Sequence, residues 1–217
     1  MLRPVTQLAT RVQKWTRGDD KRLARAVGYL QHTSHYVMTG HCADGPDKLY
    51  LELFCDADFA GGDEGTKSTS GGWLVVRGPN TCLPVTWMSK RQTATSRSTT
   101  ESEVISLAHG LYDEGQPAMT LWDTLLSRPV HLQLREDNEA TIKVVRKGYS
   151  NKLRHCVRTH RIDISGIKEI LDTQDVDIDH VGTDEQCADI FTKALPPLKW
   201  PPALLMLGIT PNGDDPK

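Results

Sequence analysis

Two aspartates stand where predicted strands end, in positions that suit metal-dependent chemistry. Asp56 ends an alternating run that begins at Leu51, and it lies on the face opposite the aliphatic residues of that run. Asp137 ends a second run from Val130 and likewise points away from its aliphatic face. If the two strands are parallel neighbours, the carboxylates converge. Two such charges at low dielectric need a cation or a proton between them.

A pair of carboxylates offers only oxygen ligands, which select a hard ion such as Mg²⁺ or Mn²⁺. Two such ions about 4 Å apart can activate a water molecule on one side of a phosphodiester and stabilise the leaving oxygen on the other. The competing interpretation is that each strand-end aspartate only caps a turn. The two residues alone do not decide between these alternatives.

The elements that must position these acids follow a simple order. Hydrophobic periodicity predicts strands at 51–56, 72–77, 82–88, 130–135 and 175–181. It predicts helices at 19–31, 100–112, 117–126, 137–147, 162–171 and 183–193, the last opened by a capping box at Thr183 and Gln186. A turn-rich stretch at 60–70 joins the first two strands, and Pro84 predicts an edge or a bulge in the third.

This order predicts an α/β fold class. Its mixed five-stranded sheet has an antiparallel meander of three strands followed by parallel strands, with helices on both faces. We divide the chain into a helical N-terminal segment at 1–48, a globular domain at 49–195 and a Pro-rich C-terminal tail at 196–217 with a short apolar segment.

The composition of the 217-residue chain is that of an ordinary globular protein, with 38% hydrophobic and 25% charged residues. No apolar run approaches the ~18 residues of a membrane span, and the N-terminus lacks the apolar core of a secretory signal. We therefore expect an intracellular protein, cytoplasmic or nuclear, whose five scattered cysteines are reduced. A zinc site built from the pairs His41–Cys42 and His155–Cys156 is disfavoured, because adjacent ligands lack the usual spacer.

The charged residues are unevenly distributed, although the net charge is only −2. No acid occurs from Ala140 to Ile162 or from Arg77 to Thr100, whereas acids collect from Asp172 to Asp189. This segregation predicts a positive track for phosphates beside a negative pocket. The alternative is a solvated basic face that binds no ligand.

Several linked motifs lie at 54–61, 68–72, 85–92, 98–107, 136–140, 158–159, 162–164 and 188–193. Together they resemble the RNase H domain of copia-type retrotransposon polyproteins, in which such motifs occur in the same order. The resemblance runs from about Ala9 to Ile209 and implies an RNase H-like fold. Residues 1–48 resemble the segment that joins a reverse transcriptase to its RNase H domain.

The resemblance implies a catalytic tetrad of Asp56, Glu103, Asp137 and Asp189 that holds two Mg²⁺ ions, which Mn²⁺ could replace. It further implies that Asp56 bridges both ions, while Glu103 and Asp137 hold the ion near the leaving group. Asp189 would help to hold the ion that activates water.

Glu101 is the alternative to Glu103, since both begin the same predicted helix. A helical wheel places Glu101 nearer the centre of the apolar arc, whereas the register from Glu103 to Leu107 matches the family's motif. We favour Glu103 as the metal ligand. Glu101 would then be a first-turn acid stabilised by the helix dipole.

One motif departs from the family. The resemblance leads us to expect Arg-Thr-Lys-His before Ile-Asp-Ile, but residues 158–161 read Arg-Thr-His-Arg, which leaves the substrate contacts open. Candidate contacts to 2′-hydroxyls or phosphates of a nucleic acid are Ser70, Lys90, Arg91, Gln92, Arg97, Asn138 and Arg158.

The function implied by the resemblance is endonucleolytic hydrolysis of the RNA strand of RNA/DNA hybrids, as in retrotransposon replication. Its partners would be the hybrid and a reverse transcriptase polymerase domain. The main alternative is a non-catalytic relic of such a domain that binds nucleic acid or protein. A DNA strand-transferring enzyme of the same superfamily is a third, less favoured hypothesis.

Overall fold

A computed structural model describes residues 1–61 and 67–213 of the chain. Eight strands lie within these ranges: β1 (Tyr36–Met38), β2 (His41–Cys42), β3 (Tyr50–Asp58), β4 (Thr69–Gly78), β5 (Thr81–Arg91), β6 (Leu132–Glu136), β7 (Val176–His180) and β8 (Ile209–Pro211). The α-helices described are α1 (Leu2–Ala9), α2 (Arg17–His32), α3 (Thr99–His109), α4 (Gln116–Leu126), α5 (Glu139–Lys147), α6 (Cys156–Thr159), α7 (Ile164–Leu171), α8 (Asp189–Thr192) and α9 (Trp200–Met206).

The main sheet confirms the predicted fold class. Its strand order is β2-β5-β4-β3-β6-β7, with β3, β4 and β5 antiparallel and with β6 and β7 parallel to β3. The sheet has six strands rather than the five predicted, because the two-residue strand β2 pairs with the start of β5. So short an edge strand carries too few residues to show an alternating pattern in the sequence.

Side chains alternate along the central strands and pack into two separate hydrophobic cores, one on each face of the sheet. Leu51 and Leu53 of β3 pack in the larger core with helices α3, α4, α5 and α7, whereas Phe54 packs in the second core with helices α8 and α9. Gly110, in the π-helical segment Gly110–Gly115 between α3 and α4, lets the helix approach β3. A Cβ there would lie 2.5 Å from the sulfur of Cys55. Helices thus cover both faces, as predicted.

Most of the predicted elements are present, and the exceptions have physical causes. The bulge expected at Pro84 is confirmed, because the pairing of β4 with β5 shifts between Leu74 and Val75, opposite Pro84. The prediction of one continuous helix at 183–193 is wrong. A 3₁₀ turn at Thr183–Glu185 is followed by a short helix α8, and Gln186 instead donates to the backbone carbonyl of Cys55 at 2.9 Å. That contact across the fold displaces the local capping box.

The two predicted appendages meet beside the main sheet. Strand β1 pairs with β8 in a small antiparallel sheet, and α1 packs near β5 and α8. Residues 62–66 of the turn-rich stretch and residues 214–217 of the tail lie outside the described residues. None of the helices in the described ranges has the length and apolarity needed to cross a bilayer. The division at residues 48 and 195 stays a prediction.

Candidate metal centre

The strands β3 and β6 bring two predicted acids to the same end of the sheet. The strands are parallel, with Leu53 opposite Leu134 and Phe54 opposite Arg135. Continuing this register by two residues sets Asp56 level with Asp137. The convergence expected if these strands were parallel neighbours is therefore present, and Asp56 is fully buried.

Helix α3 brings a third acid to this edge. The hydroxyl of Ser106 donates to the carbonyl of Asp56 at 2.6 Å and so fastens the helix to β3. Glu103 lies almost one turn earlier on the same helix. Its carboxylate falls in a group with those of Asp56 and Asp137, in which one oxygen from each residue lies within 4.8 Å of the others.

Burial and crowding disfavour negative charge on this carboxylate group when no metal ion is bound. Burial, together with the charges of Glu136, Asp56 and Asp137, raises the pKa of Glu103 to about 11. Burial and the charge of Asp56 also raise the pKa of Asp137. The Oε2 atoms of Glu103 and Glu136 are buried without a hydrogen-bond partner. Buried oxygens that lack donors, in a set made only of carboxylates, fit a hard divalent cation.

The fourth predicted acid, Asp189, is joined to the group through a lysine. The Lys193 ammonium lies 2.9 Å from Oδ1 of Asp56 and 2.6 Å from Oδ1 of Asp189. Burial and the charge of Asp56 raise the pKa of Asp189 to about 6. Helix α8 lies close to the sheet because β4 has a glycine beneath it. A Cβ on Gly71 would lie 2.5 Å from the methyl carbon of Thr192.

Sequence reasoning missed three polar groups of the site. Thr192 donates a hydrogen bond to Oδ2 of Asp56, and Lys193 bridges two acids. Glu136 is fully buried, and burial raises its pKa well above the usual value. Two signals were available. Lys193 follows Asp189 by four residues, the spacing of about one helical turn, and Glu136 lies on the same face of its strand as the buried Leu132 and Leu134.

The alternative acid Glu101 lies in a different cluster. Its Oε1 atom contacts Nε2 of His155 at 2.9 Å and Nε2 of His160 at 3.1 Å. Its Oε2 atom accepts a hydrogen bond from the backbone amide of Arg97. Glu103 faces Asp56 and Asp137, whereas Glu101 faces two histidines. The assignment of Glu103 as the metal ligand stays a prediction, which this geometry favours.

The sequence matches known retrotransposon polyproteins over most of its length. It is 30% identical over 176 residues, 80% of this chain, to the retrovirus-related Pol polyprotein from transposon RE1 of Arabidopsis thaliana. It is 27% identical over 178 residues to the corresponding polyprotein from transposon TNT 1-94 of Nicotiana tabacum. The chain is homologous to the copia-type retrotransposon Pol polyproteins. It spans only 11% of the RE1 polyprotein and 12% of the TNT 1-94 polyprotein.

The homology to Pol polyproteins comes from these sequence matches, since no protein-family model matches the chain. Among solved structures, LC11-RNase H1, isolated from compost by a metagenomic approach, aligns with a TM-score of 0.46 and 16% identity. The alignment covers 66% of this chain and 92% of that one.

The predicted nucleic-acid contacts of this Pol homologue fall into two groups. Lys90, Arg97 and Arg158 are exposed, Arg91 is half-buried, and Asn138 lines a groove of about 650 Å³ together with Glu103, Asp137 and Lys193. Ser70 and Gln92, in contrast, are buried. The amide of Gln92 donates to the Ser70 hydroxyl and to the Ser102 carbonyl, so neither side chain lies on the surface where direct contact was predicted. Their contact with substrate stays a prediction that needs local rearrangement.

We expect Lys193→Gln to destabilise the metal-free protein. The substitution leaves Asp56 and Asp189 without their shared cation. Because the lysine side chain is 35% exposed, screening limits the cost to about 1–2 kcal/mol in the free energy of unfolding. Urea unfolding in EDTA measures this loss, and saturating Mg²⁺ should restore most of it.

The matched control is Lys168→Gln, which breaks an exposed ion pair of the same i,i+4 spacing with Asp172. That change should stay within about 0.5 kcal/mol with or without Mg²⁺. Equal unfolding midpoints for the Lys193 variant and the unmodified protein in EDTA would show that the bridge contributes nothing.

The raised pKa values predict a pH dependence of the metal-free protein. An acid whose pKa is raised on folding binds more protons in the folded state than in the unfolded state. The free energy of unfolding therefore falls as pH rises from the unfolded-state pKa to the folded-state pKa. For Asp189 this window runs from its ordinary pKa of about 4 to the folded value of about 6. In EDTA, the free energy of unfolding should fall across this window, and Asp189→Asn should flatten the fall. Identical pH profiles for the two proteins would contradict the assignment.

Proposed function

We propose that this chain is an RNase H-type endonuclease that hydrolyses the RNA strand of RNA/DNA hybrids. One observation carries the proposal: Asp56, Glu103 and Asp137, from three segments far apart in sequence, present carboxylate oxygens within 4.8 Å of one another. The group opens onto a surface groove rather than a closed cavity, as a polymeric substrate requires. The homology to retrotransposon Pol polyproteins agrees with this assignment.

Asp56, Glu103, Asp137 and Asp189 would hold two Mg²⁺ ions, or Mn²⁺ in their place. Bound there, the ions would supply the charge that activates water and stabilises the leaving oxygen of a phosphodiester. The buried and unpartnered oxygens of Glu103 and Glu136 fit this use, since their environment disfavours negative charge until a cation arrives.

The side chains around the site have separate tasks in this proposal. Thr192 and Lys193 fix the orientation of Asp56 by bonding to its two different oxygens. Burial and the neighbouring acids raise the pKa of Glu103 and favour its protonated form in the metal-free protein, and this proton must leave before Glu103 can act as a ligand. Ser106 holds α3 against the backbone of Asp56, which keeps the distance between the two acids fixed.

Recognition of the hybrid would come from Asn138 in the groove and from basic side chains elsewhere on the surface. Exposed Lys90, Arg97 and Arg158 can neutralise phosphates, which supplies sequence-independent affinity. Asn138 caps α5 beside Asp137 and lies in the groove, where it can reach a 2′-hydroxyl. In its polyprotein context the domain would act beside a reverse transcriptase polymerase domain.

A cleavage assay with matched substrates tests the proposal. The same labelled RNA is presented as an RNA/DNA hybrid, as a single strand and as an RNA duplex, each with Mg²⁺ or with EDTA. We expect internal cuts in the hybrid only, and only with Mg²⁺. A plain DNA duplex of the same sequence is the fourth substrate, and its cleavage would point to a different enzyme of the superfamily.

The alternative of a non-catalytic binding domain is favoured by one feature, the Lys193 ammonium that already bridges Asp56 and Asp189. A built-in cation partly offsets the charge that metal ions would neutralise. Hybrid binding with no Mg²⁺-dependent cleavage would select this alternative and reject the nuclease.

A further inference from the structure

A second cluster of metal-ligating side chains lies around Glu101, apart from the proposed catalytic acids. The Glu101 side chain is 1% exposed, and the His160 side chain is 2% exposed. Nε2 of His155 and Nε2 of His160 both lie against the same oxygen of Glu101, at 2.9 and 3.1 Å. Two imidazoles from one segment therefore converge on one buried carboxylate from another.

A cysteine completes this cluster. One ligand atom each from Glu101, His155 and Cys156 lies within 4.8 Å of the other two. Cys156 is fully buried, and its sulfur forms no disulfide. Burial and the charge of Glu101 raise the pKa of the Cys156 thiol to about 11, so the thiol has no anionic role without a cation nearby.

We propose that Glu101, His155, Cys156 and His160 form a structural Zn²⁺ site. Glu101 comes from the first turn of α3. The other three ligands come from a single short segment, with His155 before helix α6, Cys156 at its first position and His160 just after it. The proposal is independent of nuclease activity.

The two distances from Glu101 to the histidines are close to those of a tetrahedral zinc centre, whereas His160 lies outside the group formed by Glu101, His155 and Cys156 and its ring must move to complete the site. Zn–N and Zn–O bonds of about 2.1 Å place neighbouring ligand atoms about 3.4 Å apart. The two Glu101–histidine distances must therefore widen by only a few tenths of an ångström to admit the ion. A thiolate and a carboxylate with two neutral imidazoles also balance the charge of Zn²⁺.

The ligand types separate this site from the carboxylate group. Sulfur and imidazole nitrogen favour Zn²⁺ over Mg²⁺, whereas the oxygen-only group at Asp56 favours Mg²⁺. Four protein ligands leave no open position for a substrate, which indicates a structural rather than a catalytic ion. The His155 side chain, 22% exposed, provides the route by which the ion enters.

The position of the site gives the ion a clear structural effect. Residues 140–162 form one of the two acid-free segments, and Arg97, whose amide binds Glu101, belongs to the other. Zinc would fasten both basic segments to the start of α3, two residues before Glu103. Arg161, which follows His160, takes a left-handed φ of 59°, and the backbone amide of Ile162 then donates to the carbonyl of Cys156.

Direct metal binding tests the proposal on the full chain. An Asp56→Asn background weakens binding at the carboxylate group, and the protein is stripped with chelator before Co²⁺ or Zn²⁺ is titrated. We expect one Co²⁺ per chain with a thiolate-to-cobalt charge-transfer band, displaced by Zn²⁺ and unaffected by millimolar Mg²⁺. Zinc should also raise the thermal unfolding midpoint, and chelator should reverse the rise.

Variants identify the ligands. Cys156→Ser should abolish the charge-transfer band, and His160→Gln should weaken Zn²⁺ binding at least about 10-fold. The matched control is the other adjacent pair, His41→Gln with Cys42→Ser, which lies exposed on β2 and should leave the band unchanged.

Two results would overturn the zinc site. One is the absence of a thiolate band in the Asp56→Asn protein, with no zinc-dependent shift of its unfolding midpoint. This would show that the Glu101 cluster is a hydrogen-bonded network only. The other is a band that survives Cys156→Ser and disappears with Cys42→Ser. Neither readout depends on substrate cleavage, so failure here leaves the nuclease proposal standing.

Discussion

Replacing Asp56 by asparagine should lower the rate of hybrid cleavage in saturating Mg²⁺ by about 10³-fold, a loss of about 4 kcal/mol of transition-state stabilisation. Asp56 is the acid that joins the two halves of the site, since it lies in the group with Glu103 and Asp137 and shares Lys193 with Asp189. Asparagine has the same shape but cannot supply the second anionic oxygen. Single-turnover cleavage of a labelled hybrid measures the loss.

The variant should still bind the hybrid in Mg²⁺-free buffer within a few-fold of the unmodified protein, as measured by fluorescence anisotropy. Asp177→Asn is the matched control, because Asp177 is an exposed strand acid on β7 that does not face the group. Its cleavage rate should stay unchanged. An Asp56→Asn protein that is folded, binds the hybrid and cuts it at the normal rate would rule out the proposed mechanism.

The sequence predicted the edge of the sheet where these acids meet because the signal there is local and periodic. Alternation in β3 and β6 identified the two strands and the face of each aspartate, and parallel pairing then brings the ends together. The same alternation also pointed to Glu136 as a core-facing acid. An acid at a core-facing position contradicts the usual composition of a core, so the alternation alone does not assign Glu136 to a site.

Contacts between segments distant in sequence were beyond the reach of local patterns. The capping box at Thr183 and Gln186 predicts the start of a helix. In the structure, however, the side-chain amide of Gln186 donates a hydrogen bond to the carbonyl of Cys55 on β3. The apolar stripe of α2 correctly predicted a helix, but Leu23 and Leu30 are 44% and 52% exposed, so the stripe is not buried in the described fold. Local propensity indicated the element, and tertiary packing decided what it contacts.

The histidine cluster shows the same limit at a candidate site. Spacing alone disfavours the adjacent His155 and Cys156 as zinc ligands, and the sequence offers only the similar pair His41 and Cys42 as their partners. The structure instead supplies Glu101 from a helix more than fifty positions earlier in the chain. Spacing rules describe ligands from a single loop, and they do not apply when a distant element closes the site.

The choice between Glu101 and Glu103 leads to the second large effect. Glu103→Gln should reduce the cleavage rate by about 10²–10³-fold, because it removes a ligand charge from the carboxylate group. Its unfolding midpoint in EDTA should be unchanged or raised. Burial and the neighbouring acids raise the pKa of Glu103 and so favour its uncharged form without metal, which an uncharged amide of the same shape replaces at little cost.

Glu101→Gln should behave in the opposite way. The buried carboxylate of Glu101 accepts hydrogen bonds from His155, His160 and the backbone amide of Arg97. Glutamine replaces one of its oxygens with an NH₂ group, which is itself a donor. The groups that donated to that oxygen then lose their acceptor. We expect a loss of about 2 kcal/mol in the free energy of unfolding, with less than about a 10-fold loss in rate per folded molecule. Urea unfolding and single-turnover cleavage on both variants give a two-by-two comparison. A metal ligand and a structural hydrogen-bond acceptor respond differently to the same substitution. If Glu101→Gln causes the large rate loss and Glu103→Gln the stability loss, then Glu101 is the ligand and Glu103 is the structural acceptor.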